Sequence, residues 1–271
     1  MRGRVLIVAG SDSGGGAGIQ ADIKACAAMD AYSATAVTAL TAQDTLGVHG
    51  VHPVPPDFIR QQIRLTLRDI GADAVKTGML GDAVTIEAVC DALAEEGRGI
   101  PVVVDPVMVA KGGSRLLAPE AVEMLKRRLL PFAALLTPNI PEAEVLSGMR
   151  ITGLREMRAA AEMMLTLGVP AVLLKGGHME GDLLLDLLAT EDGIQVFESR
   201  RIDSRHTHGT GCTLASAIAA GLAQGMVLRD AVSRGRNFVQ AALKLAPGLG
   251  KGHGPLNHGV TIDPARIASL S

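Results

Sequence analysis

Short apolar runs alternate along this chain with longer segments of helical period. That alternation marks βα units building a parallel sheet, because a strand covered on both faces reads as an unbroken apolar run. The runs at 5–9, 34–40, 74–76, 102–104, 134–136 and 171–174 predict strands, and the segments 17–29, 56–69, 83–95, 119–130, 141–146 and 154–167 predict helices. Pro56 suits the first turn of its helix, where a missing N–H costs nothing. Residues 48–54 alternate less regularly and run into Pro55-Pro56, which predicts a flap or edge strand outside the main repeat. Two antiparallel strands at 183–189 and 194–201 follow, then helices at 211–224 and 228–245, and a Gly- and His-rich tail. Connections are short and no internal repeat interrupts them, so residues 1–271 are expected to form one α/β domain.

In open α/β sheets a ligand sits beyond the carboxyl ends of the strands. Polar residues collect there: Asp12 and Ser13 after the first strand, then Gln43 and Asp44, Lys76 and Thr77, Asp105, Asn139, and Lys175 with His178. The pattern predicts a single extended site along one edge of the sheet.

Composition narrows what that site can hold. With 26 Lys and Arg against 28 Asp and Glu, the net charge of −2 offers no broad positive surface, which argues against a nucleic-acid partner. A small phosphorylated ligand stays compatible, since backbone amides can hold it locally. No Trp, one Tyr and four Phe leave few platforms on which bases would stack. The three cysteines, Cys26, Cys90 and Cys212, are odd in number and widely spaced, unlike a disulfide framework or a zinc site, and imply a reducing compartment. The first apolar run breaks too early for a signal peptide, and the stretch 213–223 is about half of the roughly 20 residues that cross a bilayer. No membrane partner and a cytoplasmic location are therefore expected.

Four segments carry candidate chemistry. The glycine-rich run 10–22 between strand and helix either aims amides at an anion or makes a tight turn. Within it Gly16, Gly18 and Ala21 fit G-x-G-x-x-A, a weak dinucleotide match that would put Asp44 on a ribose; no G-x-x-x-x-G-K-[ST] occurs. At 206–213, Gly209, Thr210 and Gly211 would leave free N–H groups at a helix start, suited to an anion and to charge developing in a transition state. Cys212 would sit in that positive field as a base or nucleophile, or else as a small buried hydrophobe; His206 and His208 would orient the loop or face solvent. Asn139 and Glu142, spaced N-x-x-E at a strand-to-helix junction, either organise Mg²⁺ through its waters or cap the helix. Lys175, in 173–178, either meets a phosphate or is a solvated turn lysine.

Taken in order, the segments A-G-S-D-S-G-G-G-A-G-I-Q-A-D (9–22), T-A-Q-D-T (41–45), K-T-G-M-L (76–80), D-P-V-M-V-A-K (105–111), T-P-N (137–139), L-L-K-G-G-H (173–178), H-T-H-G-T-G-C-T-L (206–214) and G-K-G-H-G-P-L-N-H (250–258) resemble the hydroxymethylpyrimidine/phosphomethylpyrimidine kinases of thiamine biosynthesis, a branch of the ribokinase-like superfamily. The resemblance covers essentially the whole chain. It implies a three-layer αβα fold with a mostly parallel central sheet and a small flap. It further implies ATP-dependent phosphorylation of 4-amino-5-hydroxymethyl-2-methylpyrimidine to the monophosphate and then the diphosphate. On this likeness the pyrimidine lies near Gly10, Asp22, Gln43, Met79 and Val107, with Gln43 hydrogen-bonding the ring. Gly209, Thr210, Gly211 and Cys212 form the anion hole, with Cys212 as the base. Asn139 and Glu142 organise Mg²⁺ through water, Lys175, Gly176 and Gly177 lie on the nucleotide side, and the enzyme is a homodimer. Many sugar kinases of the superfamily carry Asp where this chain has Cys212, whereas the pyrimidine kinases share the Cys. Asp44 stands where Asn is commoner in the family; an acid there would either repel a phosphate or face solvent. The nearest rival is a pyridoxal or pyridoxine kinase of the same superfamily, and a ligand sensor that keeps the fold is the non-catalytic one.

Overall fold

The fold is built from why alternate residues of each strand are apolar on both sides. In β1 (Arg4–Asp12), Leu6 and Val8 enter one core while Val5, Ile7 and Ala9 enter another. Side chains alternate across a strand, so an unbroken apolar run must be covered twice. The computed structural model describes residues 1–110, 113, 116–177, 181–263 and 265.

Within these residues the chain runs β1, α1 (Gly18–Ala28), β2 (Tyr32–Gln43), β3 (Val48–Pro53), α2 (Pro56–Asp69), β4 (Ala74–Thr77), α3 (Ala83–Glu96), β5 (Val102–Val104) and α4 (Ala121–Met124). It continues through β6 (Ala133–Leu136), α5 (Ile140–Ser147), α6 (Leu154–Leu165), β7 (Ala171–Lys175), β8 (Leu183–Thr190), β9 (Gly193–Arg200), α7 (Thr210–Ala223) and α8 (Leu228–Lys244). The nine strands lie in the order β3-β2-β1-β4-β5-β6-β7-β8-β9. Pairing is parallel from β2 to β7 and antiparallel at β3, β8 and β9. One face packs on α2 to α6 and the other on α1, α7 and α8, giving the expected three layers, with β3 as the edge flap. The small residues of α7, among them Ala215, Ala217, Ala219 and Ala220, are fully buried, which lets it lie between the sheet, α1 and α8. No helix among the described residues is long and apolar enough to cross a membrane.

Two elements differ from the periodicity. Segment 119–130 is not one α-helix: α4 passes into a π-turn at Leu125–Leu129 and a 3-10 turn at Leu130–Phe132. Pro131 has no N–H to donate and its ring crowds the preceding turn, so regular α pairing stops short of it. Strands β1 and β2 also outrun their apolar cores. Their pairing continues to Asp12↔Thr41 with a register shift between Ala9 and Ser11, so Gly10, Asp12 and Gln43 belong to strands rather than to the loops after them.

Candidate active site

At the carboxyl ends of the parallel strands lies a cavity of about 650 Å³. Gly10, Gln43, Met79 and Val107 line one end; Asp105, Asn139, Glu142, Lys175 and Gly209 to Cys212 line the middle; Gly177, Asp186, Arg236 and Gln240 line the far end. His178 and Lys111 lie outside the described residues.

The glycine-rich run folds around a carboxylate of its own chain. Asp12 accepts from Gly14 N at 2.8 Å, Gly16 N at 3.0 Å and Ala17 N at 2.8 Å. Burial would push this carboxyl up, but the bonds from His208 and the loop amides outweigh it and hold it below its ordinary value. Amides that a pyrophosphate would need are thus already taken, which removes the physical basis for a dinucleotide site at Gly16, Gly18 and Ala21. Asp44, the other half of that idea, is half-exposed and accepts from Leu46 N and Gly47 N at 2.8 and 3.1 Å, with His49 Nε2 at 3.0 Å. It closes the β2–β3 turn and faces solvent.

Asp22 does not line the cavity, a correction to the expected pyrimidine contact. It is fully buried, with its oxygens 2.9 and 2.8 Å from Lys76 Nζ and Ser216 Oγ donating at 2.7 Å. A carboxylate so occupied has no free edge for a ring. Lys76, also fully buried, does reach the cavity wall; burial would lower its ammonium, but Asp22, Cys212 and Asp105 hold it above its ordinary value. Gly10 lies directly against the Met79 side chain, with no room for a Cβ between them.

The start of α7 is the anion-hole candidate. Gly209 caps it in the left-handed region at φ 79°, and a Cβ there would strike the Gly16 carbonyl, so two glycines press the two loops together. Of the first-turn amides, Thr210 N donates at 3.4 Å to Thr207 O, and Thr213 N closes on Gly209 O at 2.9 Å. Gly211 and Cys212 are helix-start amides with no intrahelical partner. Gly211 faces Lys175 and Asp105 across the cavity. The positive field at Cys212 does not prevail: burial pushes its thiol up to about 12, opposed by Lys76 and the Gly18 N–H and reinforced by Asp22 and Asp105. The net shift is upward, opposite to the one a helix-start field alone would give.

Asn139 and Glu142 form a capping box at the start of α5: Asn139 Oδ1 accepts from Glu142 N at 3.0 Å, and Glu142 Oε2 accepts from Asn139 N at 2.8 Å. Burial pushes the Glu142 carboxyl up to about 7 against the pull of Lys175, with Asp105 adding to it. Lys175 Nζ donates to Asp105 Oδ1 at 3.0 Å, so it is a paired cation inside the site rather than a turn lysine in solvent. Gly177 lines the cavity; Gly176 does not, being pressed on the β8 backbone at Leu185 with its N–H bound to Asp186 Oδ1 at 2.9 Å. Among the described residues no three His, Cys, Asp or Glu side chains cluster as direct metal ligands.

Sequence reading missed two contributors, Asp186 and Arg236, and read a third, His208, as orienting its loop or facing solvent. Asp186 and Arg236 pair at 2.8 Å and join α8 to β8 behind the turn at Gly176. His208 is buried, 3.0 Å from Asp12 Oδ2 and 2.9 Å from Gln43 Nε2. Its place in the H-T-H-G-T-G segment was a signal, but no spacing rule points from residue 208 to residue 12.

The sequence model of the Phosphomethylpyrimidine kinase family matches residues 12–257. A thiamine biosynthesis bifunctional protein ThiED of Geobacter sulfurreducens is 52% identical over 265 residues, covering 98% of this chain and 54% of its own length, so the chain spans about half of that relative. A hydroxymethylpyrimidine/phosphomethylpyrimidine kinase of Streptomyces coelicolor is 47% identical, covering 94% of each. Among solved structures, an ADP complex of Bacillus subtilis pyridoxal kinase superposes with a TM-score of 0.89 at 38% identity, covering 96% of this chain and 98% of that one. The architecture is thus the ribokinase-like fold. With the match running from the Asp12 loop to the tail beneath α7, the chain belongs to the phosphomethylpyrimidine kinase family.

Proposed function

We propose that the chain transfers a phosphoryl group from ATP to the hydroxymethyl group of 4-amino-5-hydroxymethyl-2-methylpyrimidine, and then a second to the resulting monophosphate, in thiamine diphosphate biosynthesis. The observation that carries this reading is the meeting, in one cavity, of the Gln43 end, the amides of Gly209 to Cys212 and the Lys175 end. The kinase names of relatives 47 and 48% identical over 94% of the chain support it, as does the thiamine biosynthesis name of the relative that is 52% identical. In this arrangement Gln43, Met79, Val107 and Gly10 hold the pyrimidine through hydrogen bonds and aliphatic contact. At the Gly209 to Cys212 turn the Gly211 and Cys212 amides receive charge on the transferring group, Gly209 and Thr210 shape the turn, and Lys175 with the Gly177 turn meets the nucleotide. Catalysis of this kind rests on positioning and electrostatic stabilisation.

Cys212 acts as the base. Its thiol carries a proton at neutral pH, so turnover should scale with the small thiolate fraction and rise about tenfold per pH unit until another step limits it. Magnesium fits the Asn139–Glu142 pair through water. Both donors are hard oxygens already tied in the capping box, and the buried Glu142 carboxyl, raised to about 7, regains its charge beside a cation. Bound there, the ion would screen the phosphate charges. Three free cysteines support a reducing, cytoplasmic setting, and the continuous sheet supports one kinase domain over residues 1–271. Exposed Leu40 and Val51 on the β2–β3 edge, with Leu46 in the turn between, support a homodimer.

The test is ADP release with the pyrimidine and, separately, with pyridoxal, the second reading that the Bacillus subtilis structure favours. The pyrimidine is expected to be the better substrate; a clear preference for pyridoxal overturns that choice. Cys212→Ala should lose about a hundredfold or more in turnover while still binding the pyrimidine, and near-normal turnover would remove Cys212 from the base role.

A further inference from the structure

The contacts of Gln43 contain a donor–acceptor contradiction whose resolution assigns a role to His208. The Gln43 Nε2 position lies 2.9 Å from His208 Nε2, and the Oε1 position lies 3.4 Å from Thr41 Oγ1. Thr41 has one hydroxyl proton, and the shorter contact, 2.8 Å to Ser11 O, takes it, because a carbonyl only accepts. Towards Gln43 the hydroxyl is therefore an acceptor facing an acceptor. On the other side His208 Nε2 lies 3.0 Å from Asp12 Oδ2. The Asp12 carboxylate only accepts, so Nε2 must carry a proton, and it then faces the Gln43 amide as a donor facing a donor. A half-turn of the carboxamide, which leaves its shape unchanged, satisfies both ends at once. Oε1 then accepts from the His208 Nε2–H that Asp12 shares, and Nε2 donates to Thr41.

The geometry points to His208 as a positioning and specificity-determining residue: protonated at Nε2 and anchored by Asp12, it sets which way round the Gln43 carboxamide faces the acceptor ring. This rests on the pyrimidine kinase reading above. After the two internal bonds, Gln43 keeps one lone pair and one N–H side by side. A 4-aminopyrimidine offers the matching pair, an amine next to a ring nitrogen. In that ring the amine neighbours the carbon bearing the hydroxymethyl group, and the nitrogen neighbours the carbon bearing the methyl group. Exchanging donor and acceptor on Gln43 would therefore turn the ring end for end and bring the methyl where the reacting hydroxyl belongs. Pyridoxal has its ring hydroxyl and ring nitrogen on non-adjacent atoms, so it gains little from this pair. The anchor is stiff: a Cβ on Gly16 would strike the His208 ring at Cδ2, and the next residue, Gly209, abuts the Gly16 carbonyl. One imidazole thus ties the ring-binding amide to the loop that starts the anion hole.

The test uses the full chain with His208→Phe, His208→Gln, Gln43→Ala and the double variant His208→Phe/Gln43→Ala, each checked for folding by circular dichroism and melting temperature. His208→Phe should raise KM for the pyrimidine about tenfold or more and lower its kcat/KM relative to that for pyridoxal, with KM for ATP within about twofold of wild type. His208→Gln, which keeps an N–H where Nε2 stood, should recover most of the loss. The double variant should be no worse than Gln43→Ala alone, since the two residues act through one contact. Unchanged pyrimidine kinetics in His208→Phe, or additive losses in the double variant, overturn the proposal. If the Phe variant does not fold, ¹⁵N spectra of histidine-labelled wild-type protein decide: Nε2 of His208 should carry the proton, and a tautomer with only Nδ1 protonated overturns the assignment. A wild-type enzyme that phosphorylates no pyrimidine would sink the functional reading while leaving the tautomer result standing.

Discussion

Replacing Lys76 by Met separates what the buried ion pair does for the fold from what it does for Cys212. Both partners are fully buried, at 2.8 and 2.9 Å, and Ser216 is the other side chain hydrogen-bonded to the carboxylate. Removing the cation strands Asp22 in an apolar interior, and breaking such a pair from one side costs about 3–5 kcal/mol. Lys76 is also the foremost influence lowering the Cys212 thiol, so its loss moves that thiol further up. If Cys212 is the base, each tenfold weakening of its acidity removes, at a fixed pH, about nine-tenths of the remaining thiolate and of the turnover. The double variant Lys76→Met/Asp22→Leu should recover most of the stability, because an apolar pair of similar volume leaves no buried charge. It should recover turnover only in part, because Asp22, which pushes the thiol up, is lost together with the larger opposing influence of Lys76. Urea unfolding reports the first quantity; the pH dependence of kcat, with alkylation of Cys212 followed by mass spectrometry, reports the second. A double variant that is stable and fully active, or a Lys76→Met protein whose Cys212 alkylates faster at a given pH, would refute the electrostatic argument.

Two further outcomes follow from single contacts. His258 holds Thr213 Oγ1 at 2.8 Å beneath the start of α7, and burial, with Lys24 adding, lowers its pKa to about 4. Its neutral form contributes stability that is complete above pH 6.5 and lost as pH falls towards 4, up to about 3 kcal/mol. Glu142, raised to about 7, acts the opposite way, with its contribution complete below pH 4.5 and lost as pH rises through 7. The quantity to measure is thus the difference between wild type and His258→Gln by urea unfolding at several pH values; a difference that stays flat between pH 6.5 and 4 contradicts the burial argument. Gly209→Ala places a Cβ against the Gly16 carbonyl in a left-handed backbone, so a loss of about 1–3 kcal/mol and of most ADP release is expected; a wild-type urea midpoint would show that the two loops yield easily.

Much of the architecture is legible from periodicity, because burial on both faces leaves the same mark in β1 and in β4 to β7. What fails is instructive. The ends of β1 and β2 are invisible to hydropathy, since Gly10 to Asp12 and Thr41 to Gln43 pair through backbone while their side chains are small or polar. The break in 119–130 needed the weight of one proline rather than the apolar count around it.

At the site the division is sharper. Residue types and order by themselves determined that polar groups would meet at the carboxyl edge, that Gly209 to Cys212 would open a helix, and which family the motifs resemble. Those are properties of short stretches of chain. Only the tertiary structure decided that the glycine-rich amides serve Asp12, that Asp22 spends its charge on Lys76, that the Cys212 thiol moves up rather than down, and that His208 reaches Gln43. Asp22 and Lys76 are 54 positions apart and His208 and Asp12 are 196 apart. Hydrogen bonds, Coulomb energies and desolvation depend on distance and burial, and between residues so far apart in sequence neither exists until the sheet has brought its strand ends together.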